Sequence, residues 1–305
     1  MASPELATVL QLLRANPPLG GDTIDEMRAS MDALTAGVPL PADVRYEPVD
    51  AGGVPGEWTT APESETGRAI VYLHGGGYAI GSVSSHRPLV TQLAREAKAR
   101  VLSVEYRLGP EHPHPAAVED ACAAFRFAVG TGLPPWRIAI AGDSAGGGLT
   151  AAALVALRDS RGDTPGAGVC ISPWMDLTLS GGSMKTHGRL DPLVSEPKLA
   201  LMAAAYLAGG DARRPTASPL FADLAGLPPM LLHVGTAEVL LDDSTRFAER
   251  ARAAGVDLEI EVWDEMIHVW HAFGALLPEA REAVASIGAW LQRRLPPDEG
   301  DGSIP

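Results

Sequence analysis

The chain has few thiols, an excess of acid over base and no long apolar run, and each scarcity removes a class of protein. Of 305 residues only Cys122 and Cys170 carry a thiol. The first sits in an apolar helical pattern and the second in the strand-like run Gly168-Val169-Cys170-Ile171, so both read as small buried residues rather than a disulfide framework. Lysine and arginine number 24 against 38 acidic residues, a formal net charge of -14. That balance, with no local Lys/Arg run to offset it, opposes attraction to phosphate backbones and argues against nucleic acid as a partner. The surplus acid reads as an aid to solubility. No stretch of about 18 uninterrupted apolar residues is present, which argues against stable membrane insertion. Met1 to Arg14 contains Glu5 and lacks both a basic start and a small-residue cleavage pattern, so a cytoplasmic location is expected.

What remains is a chain of ordinary globular make-up, with 46% hydrophobic and 20% charged residues. Its length suits one large α/β domain. Residues 1 to 40 read as helical turns broken by Pro17-Pro18, Gly20-Gly21 and Pro39. Extended patterns follow at Val44 to Val49, Arg68 to Leu73, Arg100 to Tyr106, Arg137 to Ala141, Ala167 to Ile171, Met230 to Val234 and Leu258 to Val262. Helical patterns lie between them, near Pro88 to Ala97, Ala116 to Ala128 and Gly147 to Arg158, with a closing amphipathic helix at Pro278 to Arg294. Strands that are apolar throughout, alternating with helices, predict a mostly parallel sheet covered on both faces. The rhythm fails between Leu179 and Leu224, where Gly181-Gly182, Pro192, Pro197 and Pro215 punctuate helical pieces. This insertion (about 179–224) and the opening segment (about 1–42) are expected to form a cap on a single domain spanning 1–305. The tail from Pro296 to Pro305 reads as disordered.

Gly142-Asp143-Ser144-Ala145-Gly146 fits the G-x-S-x-G pattern and stands where that pattern needs to stand, after a strand and before a helix. The turn is so tight that side chains at 142 and 146 would meet neighbouring backbone, and Ser144 must take a strained conformation that lifts its hydroxyl clear of the sheet. Unpaired amides at the start of the next helix favour negative charge there. Ser144 is therefore the candidate nucleophile. A competing reading takes Gly146-x-Gly148-x-x-Ala151 as a dinucleotide fingerprint and Gly75-x-Gly77-x-x-x-Gly81 as a phosphate loop. In a dinucleotide fold, however, the first glycine ends the strand, whereas four residues intervene here, and no acidic residue closes a second strand at the required distance.

His74-Gly75-Gly76-Gly77 directly follows the strand ending at Leu73, the place from which a second oxyanion donor should come. Amides of Gly76 and Gly77 are the candidates from this loop, with that of Ala145 beside the nucleophile. His74 reads as a brace for the loop. Together with Gly142-Asp143-Ser144-Ala145-Gly146-Gly147 and the segment Tyr106-Arg107-Leu108-Gly109-Pro110-Glu111-His112-Pro113, this loop resembles the motif set of the hormone-sensitive-lipase-like family of esterases. Gly109 stands where that family usually has alanine. The resemblance runs from about Val44 to Leu295. It implies an α/β-hydrolase fold with about eight strands and a helical cap, no cofactor, hydrolysis of short- to medium-chain acyl esters, and a homodimer.

An α/β hydrolase orders its triad Ser, acid, His, so the base must come late. Among eight histidines His268 fits, just beyond the strand Leu258 to Val262. The family's histidine precedes a helix start carrying an aromatic residue, which matches Val269-Trp270; His271 is given a structural or pocket role. For the acid, the family pattern resembles D-x-L-x-D, and aligning Leu240 and Asp242 with it puts Glu238 in the place of the usual Asp. Asp242 is the competing choice. Tyr78, Trp174 and Met175, with Met202 and Tyr206 from the insertion, are candidates for the substrate pocket. His268-x-x-His271 and His112-x-His114 lack further ligands at metal spacing, so no metal site is expected. A ligand receptor on the same fold is the alternative from outside enzymology, disfavoured because the histidine stands at its expected place.

Overall fold

Apolar runs bounded by glycine or turn residues bury every side chain most simply as inner strands of a sheet covered on both faces. The computed structural model, which describes residues 2–17, 19–35 and 37–296, places them so. Its elements in chain order are α1 (Pro4–Ala15), α2 (Ile24–Thr35), β1 (Arg45–Asp50), β2 (Pro55–Thr60), β3 (Glu65–Leu73), α3 (Val83–Glu96), β4 (Ala99–Val104), α4 (Ala116–Gly130), β5 (Ile138–Asp143), α5 (Ala145–Asp159), β6 (Ala167–Ile171), α6 (Ser183–Thr186), α7 (Glu196–Leu207), β7 (Met230–Gly235), α8 (Leu241–Ala253), β8 (Leu258–Trp263) and α9 (Pro278–Arg294). Among the described residues the strands form one sheet ordered β1-β2-β4-β3-β5-β6-β7-β8. β2 runs antiparallel to both neighbours, and all pairings from β4 to β8 are parallel. This is the α/β fold that the alternation of patterns predicts.

β2 is the strand that sequence patterning misses. It opens on proline, which a strand tolerates at its first residue, and Gly56 and Glu57 interrupt any apolar run. Tertiary partners make it a strand. A side chain at 56 would collide with the Ser103 carbonyl of β4. Trp58 is buried beneath the Arg100 guanidinium, 4.3 Å from its ring centre, and Glu57 takes a bidentate contact from Arg87 at 2.8 and 2.6 Å.

Two helices start earlier than their patterns suggest. α3 begins at Val83, ahead of Pro88, because Ser82 and Ser85 form a reciprocal cap that fixes the first turn, and the proline then sits inside the helix. α5 begins at Ala145, immediately after Ser144, so the helix terminus itself reaches the candidate nucleophile. α9 spans the expected residues and crosses α3 closely, with Gly288 against the Glu96 backbone.

The first helices are packed against the sheet's loops. Leu6, Val9 and Leu13 of α1 join Met266, Ile267, Trp270 and Leu277 in one apolar cluster. Arg28 of α2 donates to the Ala79 and Gly109 carbonyls and holds Glu111 at 2.8 Å, tying the segment after the glycine loop to the Gly109–His112 stretch. Between β6 and β7 the chain adds α6, α7 and a single 3-10 turn at Pro219–Phe221, without a strand. Met202, Ala203 and Tyr206 of α7 are buried in the main core with Tyr78. Among the described residues no helix is long and apolar enough to cross a membrane. The tail read as disordered lies outside the described residues from 297 onward.

Candidate active site

At the turn from β5 to α5, Ser144 takes φ 54 and ψ -120, a conformation that L-residues rarely adopt. The surrounding backbone holds it there. Its N–H donates to Ile171 at 2.8 Å, and its carbonyl accepts from Trp174 at 2.9 Å and Gly148 at 3.1 Å. Side chains at Gly142 and Gly146 would overlap the Leu73 carbonyl, so both glycines are demanded by the approach of β3. Gly148 is likewise pressed against backbone, that of Trp174, so its lack of a side chain already has a use in packing and needs no pyrophosphate to account for it.

The loop after β8 brings His268 to this elbow, its Nε2 2.9 Å from Ser144 Oγ. On the other side of the ring, Nδ1 lies 3.0 Å from Glu238 Oε2. Glu238 is fully buried and its second oxygen is held by the Gly235 amide at 2.6 Å and the Ser172 hydroxyl at 3.0 Å. Ser172 was not singled out from the sequence, yet it joins the two loops, because its oxygen also accepts from the Val269 amide at 3.1 Å. Val269 itself has φ 47, unusual for a β-branched residue, directly beside the histidine. Asp242 lies elsewhere: its carboxylate accepts from the Ser183 amide at 2.9 Å, at the start of α6.

Burial works against a charged imidazole at His268, but hydrogen bonding and charge from Glu238, with further pull from Asp191 and Asp143, outweigh it and raise its pKa above the ordinary value. His271 is buried with Nε2 3.2 Å from His233 Nδ1, and burial followed by the charge of His233 pushes its pKa far down. It is a neutral core histidine.

Positive φ angles at Gly76 (118) and Gly77 (60) curl the glycine loop, and the Ala79 and Ile80 amides close it on the Gly76 carbonyl at 3.0 and 2.9 Å. Asp143, the second residue of the elbow motif, ties loop to elbow. Its Oδ1 accepts from the Gly75 amide at 3.0 Å and the Tyr72 hydroxyl at 2.6 Å, while Oδ2 faces His86 Nε2 at 3.4 Å. His74 stacks on Tyr106 with ring centres 4.3 Å apart, and the Tyr106 hydroxyl donates to the His74 carbonyl. Burial, then the charge of His86, lowers the His74 pKa to about 3. The ring thus stays neutral, a brace beneath the loop.

Tyr78, Trp174 and Met175 are all buried. Tyr78 stacks on Tyr206 at 4.0 Å and lies 6.1 Å from the Trp174 ring, so the aromatic candidates form one cluster under α7. Met202 reaches the glycine loop, where its side chain occupies the space that a Cβ at Gly77 would need. Met175 lies just behind, its amide donating to Asp243 at 2.8 Å. His114 bonds to Thr216 at 2.9 Å, and among the described residues no group of three or more metal-ligating side chains comes together.

A serine raised on an elbow between a parallel strand and its helix places the chain among the α/β hydrolases. Comparison with known proteins agrees: residues 70–272, more than half the chain, match the family described as alpha/beta hydrolase fold, and the chain belongs to it. An acetyl-hydrolase of Streptomyces hygroscopicus is 46% identical over 96% of this chain and 97% of its own length. An esterase of Acinetobacter venetianus is 37% identical, covering 86% of each. A solved esterase of the bacterial hormone-sensitive lipase family superposes with a TM-score of 0.94 at 46% identity, over 97% of this chain and 99% of the other. Within the α/β hydrolases the chain is thus an enzyme of the hormone-sensitive-lipase-like branch.

Proposed function

We propose that the protein is a carboxylic ester hydrolase that cleaves short- to medium-chain acyl esters through an acyl-enzyme on Ser144. The observation that carries this reading is the unbroken hydrogen-bonded line from Ser144 Oγ through His268 to Glu238. In the first half-reaction His268 Nε2 takes the Ser144 proton as Oγ attacks the ester carbonyl. Glu238 holds the ring in the tautomer with hydrogen on Nδ1 and stabilises the imidazolium. The amides of Gly76, Gly77 and Ala145 receive the oxyanion; that of Ala145 lies at the N-terminus of α5, where the helix dipole adds to the attraction. The imidazolium then protonates the departing alcohol, and water, activated by the same ring, hydrolyses the acyl-enzyme.

The same proposal gives α1, α2 and the insertion the role of a cap, supported by the packing of α1 on the base loop and of Met202 on the glycine loop. Tyr78, Trp174 and Met175 would then bound the substrate site from below. The name of the Streptomyces relative supports acyl groups at the short end. A cytoplasmic setting and a homodimer extend the reading, the first supported by two buried unpaired thiols and the second by family resemblance alone. The test is hydrolysis of p-nitrophenyl acetate and butyrate by wild type and Ser144→Ala. The expected result is turnover in the first and background in the second; turnover surviving in the alanine variant removes Ser144 from its role.

A further inference from the structure

We infer that Asp191 is a positioning residue for the reaction, a second buried carboxylate that the segment between β6 and β7 sets against the loop carrying Glu238. The inference rests on the triad reading above and goes one step outward from it. Asp191 follows α6 and is buried. Its Oδ1 accepts from the amides of Leu193 and Val194 at 2.9 and 3.1 Å, closing its own turn. Its Oδ2 crosses to the acid loop and accepts from the amide of Val239, the residue after Glu238, at 3.1 Å.

The same segment grips the other side of Val239. Ser183 Oγ donates to the Val239 carbonyl at 2.7 Å and accepts from the Asp242 amide at 3.0 Å. The acid is thus held from beneath by Gly235 and Ser172 and along its backbone by Asp191 and Ser183. For that backbone grip alone a neutral acceptor would suffice. A carboxylate next to buried Glu238 adds like-charge repulsion and a desolvation cost that the amide bonds only partly offset.

The charge has a use when His268 becomes an imidazolium. Glu238 touches that ring; the other ionisable groups whose charge acts on it are Asp191, bonded to the acid loop at Val239, Asp143 of the elbow, and His271. Asp143 is already engaged with His86, and His271 is neutral. Asp191 therefore supplies the second anion toward the charge that develops during attack, and it joins the position of the inserted segment to the strength of the base.

Two variants separate this role from simple bracing. Asp191→Asn removes the charge and keeps one acceptor; Ser183→Ala loosens the same loop with no change of charge. Both are assayed with p-nitrophenyl acetate from pH 5 to 9, with thermal midpoints measured alongside. For Asp191→Asn, kcat should fall about tenfold at a nearly unchanged KM, the size expected for a modest loss in proton transfer. The acid limb of kcat/KM should move down by about half a pH unit, because a negative charge that favoured the imidazolium is gone. Ser183→Ala should lower the thermal midpoint without moving the limb. If Asp191→Asn leaves the acid limb in place, Asp191 is a brace and the inference is overturned. Should that variant not fold, Asp191→Ser, which retains a hydroxyl acceptor, reads the same limb. Failure of the triad reading itself shows separately, as turnover that survives in Ser144→Ala.

Discussion

Replacing Glu238 by glutamine is the most informative single change, because the local hydrogen bonds dictate which way the amide must face. Oε1 accepts two bonds, from the Gly235 amide at 2.6 Å and the Ser172 hydroxyl at 3.0 Å, and the first of these donors cannot turn away. The glutamine carbonyl must therefore take that place. Its NH2 then points at His268 Nδ1, where Oε2 now lies at 3.0 Å. A donor facing Nδ1 forces the ring proton onto Nε2, the atom 2.9 Å from Ser144 Oγ, and that nitrogen can no longer accept the serine proton. Stabilisation of the imidazolium is lost as well. The same tautomer error in another serine hydrolase lowers kcat about 10⁴-fold, and a loss of about 10³ to 10⁴ is expected here, or roughly 4 to 5.5 kcal/mol of barrier. The glutamine is nearly isosteric, so circular dichroism and the thermal midpoint should show a folded protein. Steady-state hydrolysis of p-nitrophenyl butyrate measures the effect, with Asp242→Asn as the comparison. Asp242 caps α6 and should cost less than about threefold in kcat, as expected for a group outside the proton path. Turnover of Glu238→Gln within tenfold of wild type, or a larger loss in Asp242→Asn, would refute the assignment.

Two further outcomes follow from the geometry. His268 must be neutral to act, and its pKa is raised, so activity should fall as pH drops through a midpoint above the ordinary histidine value of about 6.5; a kcat/KM profile with its acid limb below that value would contradict the arrangement. Gly77→Ala places a methyl against Met202 at a residue with φ 60, and displacing one oxyanion donor should lower kcat about 100-fold or more with KM little changed, measured on the same ester.

How much of the site could be read in the sequence depended on how local each constraint is. Ser144 was legible because its constraints lie within five residues: two glycines that let β3 approach, a serine between them, a strand before and a helix after. His74 to Gly77 was legible because it follows a strand in the same chain as the elbow motif, a pairing that sets it apart from a simple turn or a phosphate loop. His268 needed chain order, which left it and His271, and then the aromatic residue that follows it. Glu238 was harder, because Asp242 and Asp243 stand a few residues on and offer the same chemistry. The structure separates them by what each touches: Asp242 turns to the Ser183 amide, Asp243 to the amides of Met175 and Asp176, and only Glu238 faces the imidazole. Ser172 and Asp191 carried no signal. A serine after a strand and an aspartate before a proline are commonplace, and their partners lie 66 and 48 residues away. β2 was silent too, its burial coming from Arg87, Arg100 and β4 rather than from its own apolar content.

The sequence by itself determined the class of fold and marked Ser144, the glycine loop and His268 as candidates, because the first three follow from backbone sterics and from periods that neighbouring residues enforce, and the last from its order in the chain and the aromatic residue that follows it. Tertiary structure decided the rest: which carboxylate meets the imidazole, that Asp191 bonds to the loop carrying it, and how Met202 of α7 packs on the glycine loop. Those choices are set by distances between segments far apart in the chain, and hydrogen bonds and charges act across such distances only once the sheet has brought the loop ends together.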